Sequence, residues 1–428
     1  MAGMIWVGGA GRAWATAAMV ALSAGALVVA PTVPAAYAAS ANCGQRTQPV
    51  YLPETTTPVI EYGRETVLRS GGFTGEGVTV AVVDSGVTAA NAHFASDPTA
   101  LASGTTLLSA TPDTAELRDP AGHVDRLDHG TTVASLIAAR DVPGSGVRGL
   151  APRATILPIQ AFGSLAFDDP RSAPLLPTPT TLAAGIRYAA DRGARVIAVP
   201  VALTEGSDEL KGAVAYAYDK GALVIASAGD RDAKVTRDAP RYPAAYPTVV
   251  GVTALTQNGA PSPAAVRGDH VDLAAPAQHL NVALGAFGDC TVADTPGSDL
   301  ATGLVAGAAA LLVQRFPAAG PGEWAYRLQS SAVRPQSHQR DPAVGWGAIS
   351  PVDALTMTLD PTRPGPTLPG GAPTPVEVAT AAGTPIVMPA DPAAATRRTA
   401  WWLTGGVLSL GLGLVMVRAL RRSRSARD

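Results

Sequence analysis

One apolar run constrains the fold of this chain more than any other feature. Residues 297–312 are mostly Ala, Gly, Leu and Val, and a glycine followed by small residues opens the run. The pattern predicts a helix with apolar residues on every side, which is typical of a helix buried in a large domain. We expect its N-terminus to present a side chain to a cleft.

Between about residues 75 and 358, strand-like runs alternate with helical patterns. Gly77–Val83 is apolar and bounded by Gly and Asp, as expected of a buried parallel strand. Further strands are predicted at Ala154–Ile159, Arg195–Val199 and Gly221–Ala226. Helices are predicted at Thr131–Ala139 and Gly212–Tyr218. A third helix has its apolar face at Leu182, Ile186, Ala189 and Ala190 and ends near Gly193. This alternation favours an α/β domain with a mostly parallel central sheet flanked by helices.

The N-terminal segment has the composition of an export signal. In residues 1–38, Arg12 precedes the apolar stretch Ala13–Ala30, and Ala36-Tyr37-Ala38 fits a small-x-small cleavage site. An uncleaved N-terminal membrane anchor is the alternative. Residues 39–74 lack periodicity and predict an extended arm.

The C-terminal segment has the pattern of a membrane anchor. A proline-rich linker at 359–398 leads to the apolar stretch 400–417, which predicts one transmembrane helix. The arginine-rich tail at 418–428 places the C-terminus in the cytoplasm by the positive-inside rule. The domain at 75–358 would then lie outside the cytoplasmic membrane, on a single-pass protein.

Charge and cysteine content narrow the possible partners. The formal net charge is −2, which does not indicate nucleic acid as a partner. Cys43 and Cys290 are the two cysteines and form a candidate disulfide between the arm and the domain, with two unpaired buried thiols as the alternative. No Cys-x-x-Cys or His-x-x-x-His spacing occurs, so we expect no metal and no other cofactor.

Four motifs in order carry a family resemblance. They are Val82-Val83-Asp84-Ser85-Gly86-Val87, His129-Gly130-Thr131-Thr132-Val133-Ala134, Gly149-Leu150-Ala151-Pro152 and Asp272-Leu273-Ala274-Ala275-Pro276. Together with the apolar run at 297–312, they resemble the subtilisin-like serine proteases over about 280 residues. The resemblance implies a three-layer subtilisin-like fold, in which Asp84 orients His129 and His129 acts as the base.

The same resemblance shows two substitutions at catalytic positions. Asp299 stands where the family has its nucleophilic serine, and Asp230 stands where it has the asparagine that donates to the oxyanion. A carboxylate is a poor nucleophile toward an amide and favours the imidazolium form of His129, which cannot accept a proton. An ionised Asp230 would repel the developing oxyanion.

Two further positions bear on activity. Pro200 removes a backbone donor from the strand that pairs with substrate in the family. Ser298 is a possible displaced nucleophile, but one residue along a helix turns a side chain by about 100°, away from His129. Its structural interpretation is a helix N-cap.

The overall layout is similar to that of the mycosins, the membrane-anchored subtilisin-like proteases of type VII secretion systems. This resemblance implies partners among the other membrane subunits of a secretion complex, and possibly a polypeptide in the cleft. The favoured hypothesis is an inactive pseudoprotease that acts as a structural or binding subunit. The alternative is a serine endopeptidase with residual or non-standard activity that uses Asp84, His129 and Ser298.

Overall fold

The computed structural model describes residues 50–53, 71–111, 114–167, 169–231, 237–286, 288–292, 294–334 and 339–369. The predicted signal segment 1–38, Cys43, the transmembrane stretch 400–417 and the basic tail 418–428 lie outside the described residues. Among the residues described, no helix combines the length and the apolar character needed to cross a membrane.

The centre of the domain is a seven-stranded sheet in which every neighbouring pair is parallel. Its strands are β1 (Thr79–Asp84), β2 (Thr105–Thr106), β3 (Thr155–Gln160), β4 (Val196–Val199), β5 (Leu223–Ser227), β6 (Val249–Leu255) and β7 (Leu273–Pro276). They lie in the order β2-β3-β1-β4-β5-β6-β7. A separate antiparallel hairpin joins β8 (Leu280–Ala283) and β9 (Asp289–Val292).

Helices cover both faces of this sheet. They are α1 (Ala92–Ala95), α2 (His129–Ala138), α3 (Pro179–Asp191), α4 (Asp208–Asp219), α5 (Ser298–Arg315), α6 (Pro321–Ser331) and α7 (Pro351–Thr356). A 3₁₀ helix spans Pro170–Leu175. The domain therefore has three layers, with the parallel sheet in the middle.

Alternation along the strands explains the two layers of core. In β1, Val80 and Val82 pack in the cluster that contains α2 and α5, whereas Ala81 and Val83 pack in the cluster that contains α3 and α4. Successive strand side chains point to opposite faces, so an uninterrupted apolar strand is buried on both sides. The buried parallel strand predicted from this run is present with shifted ends.

The buried helix predicted from the apolar run is α5. Sixteen of its 18 residues are buried, from Ser298 to Val313. Two glycines permit close packing: an added Cβ would lie 3.1 Å from the Val133 carbonyl oxygen at Gly303 and 3.0 Å from the Leu150 Cβ at Gly307. Small residues thus bring α5 and α2 together, and each of these helices begins at a predicted site residue.

The predicted elements are present with different ends. The helix predicted at Thr131–Ala139 begins earlier, at His129, and the one predicted at Gly212–Tyr218 extends over Asp208–Asp219. Side-chain capping explains the second difference, since Ser207 accepts a hydrogen bond from the Leu210 amide. The hairpin β8–β9 and the helices α6 and α7 were not predicted. Short elements of this kind depend on tertiary packing rather than on a long periodic pattern.

The start of the predicted linker lies on the domain. The Asp360 carbonyl accepts a hydrogen bond from the Tyr326 hydroxyl at 2.9 Å, and the Met357 carbonyl accepts one from Arg327 at 3.0 Å. Both donors are on α6. The first residues after α7 are thereby held by side chains of the domain, and the predicted linker residues 370–398 lie outside the described part.

Candidate active site

The candidate site lies at the carboxyl ends of the central strands. Asp84 is the last residue of β1, Asp230 follows β5, and His129 and Ser298 open α2 and α5. In a parallel sheet these ends share one edge, and helices that begin there direct their N-termini to the same place. The topology therefore brings together residues that are far apart in sequence.

His129 lies between two carboxylates. Its Nδ1 donates to Asp84, with distances of 2.8 and 2.9 Å to the two carboxylate oxygens. Its Nε2 donates to Asp299 Oδ2 at 3.1 Å. A carboxylate accepts hydrogen bonds only, so a ring with a carboxylate on each nitrogen carries protons on both. The arrangement favours an imidazolium ion that bridges Asp84 and Asp299.

The environment of the ring supports this protonation state. Burial alone lowers the pKa of His129, but the charges of Asp84 and Asp299 and the hydrogen bonds to them outweigh burial. The net result holds the pKa of His129 well above its usual value. The position that needs a neutral base for serine catalysis is therefore occupied by a cation.

A further carboxylate, that of Asp125, is linked to Asp84 through the Ser85 hydroxyl. Ser85 Oγ lies 3.0 Å from Asp84 and 2.8 Å from Asp125, and it accepts a hydrogen bond from the Gly130 amide at 3.0 Å. Asp125 also accepts from the amide and hydroxyl of Thr131. Burial, followed by the charge of Asp84, raises the pKa of Asp125. This network fixes the start of α2 against the end of β1.

Ser298 is directed away from His129. Its amide and its hydroxyl both donate to Asp230 Oδ2, at 2.8 and 2.7 Å, and its Oγ lies 2.6 Å from Ser227 Oγ. The interpretation of Ser298 as the helix N-cap is wrong. Gly297 is the N-cap and Ser298 is the first helical residue. The Ser298 amide, which has no acceptor within the helix, donates to the Asp230 carboxylate instead.

Asp230 is an acid held mostly out of water. Its Oδ1 is buried without a hydrogen-bond partner among the described residues. Burial and then the charge of Asp299 raise the pKa of Asp230 to about 7, although the hydrogen bonds from Ser298 oppose the shift. At neutral pH this group is therefore partly protonated, and its ionised form would place negative charge at the predicted oxyanion position.

Little of the site is exposed. His129 is 2% exposed and Asp299 is 8% exposed, while Asp84 and Ser298 are fully buried. The Phe162 ring lies against the imidazole in an edge-to-face arrangement, with 6.2 Å between ring centres. Cavities of about 760 and 460 Å³ in the described part are lined by other residues.

Backbone groups near the site are already bonded within the chain. Leu203 exchanges two hydrogen bonds with Tyr242, at 2.8 and 2.9 Å, just after Pro200. Beyond β3, the amides of Gly163 and Ser164 both donate to the Leu175 carbonyl. These segments follow β4 and β3, so fewer donors and acceptors remain there for an added strand.

Acyl transfer by a serine requires a hydroxyl within reach of a neutral imidazole. In this structure the group that contacts His129 Nε2 is the Asp299 carboxylate. No group of three or more His, Cys, Asp or Glu side chains in the described ranges is arranged to hold a metal ion. The chemistry of the site is that of a buried ionic bridge between β1, α2 and α5.

The structure brings four of the predicted site residues together and places Cys290 apart from them. Asp84, His129 and Asp299 are in direct contact, and Asp230 joins them through Ser298, the neighbour of Asp299. Cys290 lies apart, buried in β9, and its thiol is not free. Its predicted partner Cys43 lies outside the described residues, so that pairing stays a prediction.

Several residues of the site were missed from the sequence. They are Ser85, Asp125, Phe162 and Ser227. Asp125 had a usable signal, since it is a carboxylate only four residues before the motif that begins at His129. Phe162 and Ser227 had none, because only the packing of β3 and β5 against neighbouring helices brings them to the site.

Comparison with known proteins gives a consistent result. A sequence profile of the Peptidase_S8 subtilase family matches residues 75–347. Mycosin-1 of Mycobacterium tuberculosis is 33% identical over 393 residues, which covers 82% of each chain. Thermitase of Thermoactinomyces vulgaris is 36% identical over 187 residues, which covers 44% of this chain and 61% of thermitase.

Solved structures agree with this result. The crystal structure of MycP1 from Mycobacterium smegmatis matches with a TM-score of 0.60 and 27% identity, covering 77% of this chain and 90% of that one. The MycP3 protease from the type VII (ESX-3) secretion system matches with a TM-score of 0.60 and 26% identity, covering 73% and 91%. The similarity extends over most of the described domain.

Proposed function

Because this chain belongs to the subtilase family and, within it, is a homologue of the mycosins of type VII secretion systems, we propose that it is an inactive, membrane-anchored member of that group. It acts as a structural or binding subunit of a secretion complex, outside the cytoplasmic membrane. The observation that carries the proposal is the 3.1 Å hydrogen bond between His129 and Asp299.

Four features oppose peptide hydrolysis. The imidazolium of His129 cannot remove a proton, and attack by the Asp299 carboxylate on an amide would have to form an anhydride. Asp230 stands where a donor to the oxyanion is needed, and loss of one such donor typically costs about 10²–10³ in rate. The hydroxyl of Ser298 is bonded to Asp230 and faces away from the imidazole.

The membrane assignment is supported by the sequence outside the described residues. An apolar stretch at 400–417 followed by the arginine-rich tail 418–428 is typical of a stop-transfer helix with a cytoplasmic C-terminus. The domain would then meet other membrane subunits of the complex, and a polypeptide held without cleavage is a further candidate partner. Labelling of single engineered cysteines from each side of the membrane tests this topology, and access to a residue of 75–358 from the cytoplasm would contradict it.

Activity is tested with a fluorophosphonate probe on the full-length chain. The probe reacts with activated serine nucleophiles, and we expect no labelling of the wild-type protein. Stoichiometric labelling at Ser298 would overturn the proposal and favour the alternative, a serine endopeptidase that uses Asp84, His129 and Ser298. A mutant in which Ser298 is replaced by alanine controls for labelling elsewhere.

The reverse experiment restores the family residues. The double variant Asp299→Ser with Asp230→Asn returns a hydroxyl to the imidazole and a donor to the oxyanion position. Labelling of this variant would show that these two substitutions account for inactivity. If it stays unlabelled while folded, the obstruction extends beyond these two residues, to the segment that follows β4 at Pro200.

A further inference from the structure

A buried Ser-His-Asp cluster lies outside the candidate site. Asp289 Oδ1 accepts from His93 Nε2 at 2.9 Å, and Asp289 Oδ2 accepts from Ser145 Oγ at 2.6 Å. Ser145 Oγ also lies 3.2 Å from His93 Nε2. His93 and Asp289 are at most 1% exposed, and Ser145 is 8% exposed.

The order of contacts rules out a hydrolytic role for this cluster. In a catalytic triad the carboxylate and the hydroxyl contact different nitrogens of the imidazole. Here both contact Nε2, while Nδ1 donates to the Arg140 carbonyl at 2.7 Å. A buried ionisable cluster that does no chemistry still needs every polar atom bonded, so its contacts indicate its role.

One of those contacts reaches the N-terminal arm. The Leu52 amide donates to Asp289 Oδ2 at 2.8 Å, the Asp289 amide donates to the Val50 carbonyl at 2.8 Å, and the Gly146 amide donates to the Leu52 carbonyl at 2.6 Å. Residues 50–53, here termed the arm segment, are thus bonded to β9 and to the loop after α2. The Asp289 carboxylate holds His93, Ser145 and the arm segment at once.

The contacts continue from the arm segment toward the candidate site. The Val50 carbonyl lies over Gly288, which precedes β9. Asn91 donates to the carbonyls of Gly285 and Gly288 at 2.8 and 3.2 Å, and the Asp128 carboxylate lies beside Gly285, 3.4 Å from where an added Cβ would stand. Asp128 is the left-handed residue that caps α2, with φ 59°.

We infer that Asp289 is a positioning residue that clamps the arm segment and, through Gly288, Asn91 and Gly285, holds Asp128 and the first residue of α2, His129. The position of the arm segment therefore helps to set the geometry at the His129 imidazole. This inference does not depend on whether the site hydrolyses peptides, because it concerns only the position of the imidazole.

The sharpest test moves the arm segment without changing any charge. At Gly288, which has φ +95°, an added Cβ would lie 2.3 Å from the Val50 carbonyl oxygen. At Gly144, with φ +84°, an added Cβ meets nothing within 4 Å. Gly288→Ala and Gly144→Ala therefore carry similar backbone strain, and only the first displaces the arm segment.

The measurement is amide hydrogen exchange of the full-length chain, read from peptides that cover residues 50–53, 284–288 and 125–130. We expect Gly288→Ala to accelerate exchange roughly tenfold in all three regions and to shift the His129 imidazole resonance, since local opening exposes amides that the contacts protect. Gly144→Ala leaves the three regions and the resonance unchanged.

A second pair of variants tests the carboxylate itself. Asp289→Asn keeps an acceptor for Leu52 but loses the charge opposite His93, and we expect the same three regions to exchange several-fold faster. Asp294→Asn, at an exposed position two residues beyond β9, is the matched control. Leu210→Ala, in the α3–α4 layer, controls for general loss of stability.

Each outcome is decisive for the inference. Faster exchange at 50–53 together with an altered His129 resonance supports it. Faster exchange at 50–53 with unchanged behaviour at 125–130 and at His129 overturns the link between arm and site. Unchanged exchange at 50–53 in both Gly288→Ala and Asp289→Asn overturns the clamp. If Leu210→Ala gives the same pattern, the effect is general destabilisation and the inference is also wrong.

Discussion

Two buried histidines in the described domain each contact aspartate, but they differ in which groups contact their two ring nitrogens. His129 has a carboxylate on each ring nitrogen, from Asp84 and Asp299. His93 has a carboxylate and a serine hydroxyl on the same nitrogen and a backbone carbonyl on the other. In neither cluster does a hydroxyl face the nitrogen opposite the carboxylate, which is what serine catalysis requires. The comparison shows that residue types alone do not define a triad.

The two clusters also differ in what they join. The ionic bridge at His129 connects β1, α2 and α5, which are all central elements. The cluster at His93 connects α1, β9 and the arm segment at the periphery. We therefore expect substitutions at His129 to affect global stability most and those at His93 to act first on the arm.

The largest expected effect follows from removal of the imidazolium. His129→Ala leaves Asp84 and Asp299 as buried acids without their shared partner, and we expect a loss of about 3–5 kcal/mol in the free energy of unfolding. Denaturant titration measures it. The double variant His129→Ala with Asp299→Ser removes one of the two acids, so it should recover part of that loss. A single variant as stable as wild type would contradict the ionic bridge.

The next effect concerns Asp230. Its folded pKa of about 7 lies above the unfolded value near 3.8, so ionisation costs stability progressively as the pH rises from about 4 to 7, and the full cost remains above pH 7. Asp230→Asn removes this cost. We expect roughly 4 kcal/mol of added stability at pH 8 and little change at pH 4.

The pH profile separates Asp230 from other carboxyls. Burial also raises the pKa of Asp128 and Asp272 to about 6, and both keep titrating in the variant. The difference between Asp230→Asn and wild type therefore isolates one group. If Asp230→Asn and wild type were equally stable at pH 4 and again at pH 8, ionisation of Asp230 would carry no cost in stability, and the prediction would be wrong.

A smaller effect is expected on the titration of His129. Asp299→Ser removes one of the charges that hold the pKa of His129 up, so we expect the pKa to fall toward its usual value. The ring-proton resonance of His129, followed by NMR as the pH is varied, measures this change. The raised pKa stabilises the fold below pH 6.5, and that contribution is lost as the pH rises through the folded pKa. A pKa that stays unchanged in the variant would contradict the contact with Asp299.

The smallest effects compare the two serines. Ser145→Ala and Ser298→Ala each remove one hydroxyl that donates to a buried carboxylate, and we expect each to cost about 1–3 kcal/mol. Thermal unfolding measures this, and neither substitution should change fluorophosphonate labelling. If the wild type were labelled and Ser298→Ala lost that labelling while its thermal unfolding changed little, the result would point to catalysis at Ser298.

Much of the fold was predictable because its signals are local. The strand β1 and the helix α5 carry long apolar patterns, and the motifs around Asp84 and His129 mark where a strand ends and a helix begins. These patterns arise because a parallel sheet covered on both faces requires apolar residues at every strand position. The ends of elements were less predictable, since side-chain caps such as Ser207 shift them.

The identities of Asp299 and Asp230 were readable from the sequence, and with them the absence of a hydroxyl at the nucleophile position. Which atoms meet was decided only by the tertiary structure. Ser298 contacts Asp230 because the end of β5 and the start of α5 meet in the fold, and the cluster at Asp289 forms because the hairpin β8–β9 carries that residue to His93 and the arm. These contacts join residues 68 to 237 positions apart, so they depend on chain topology and no local pattern encodes them.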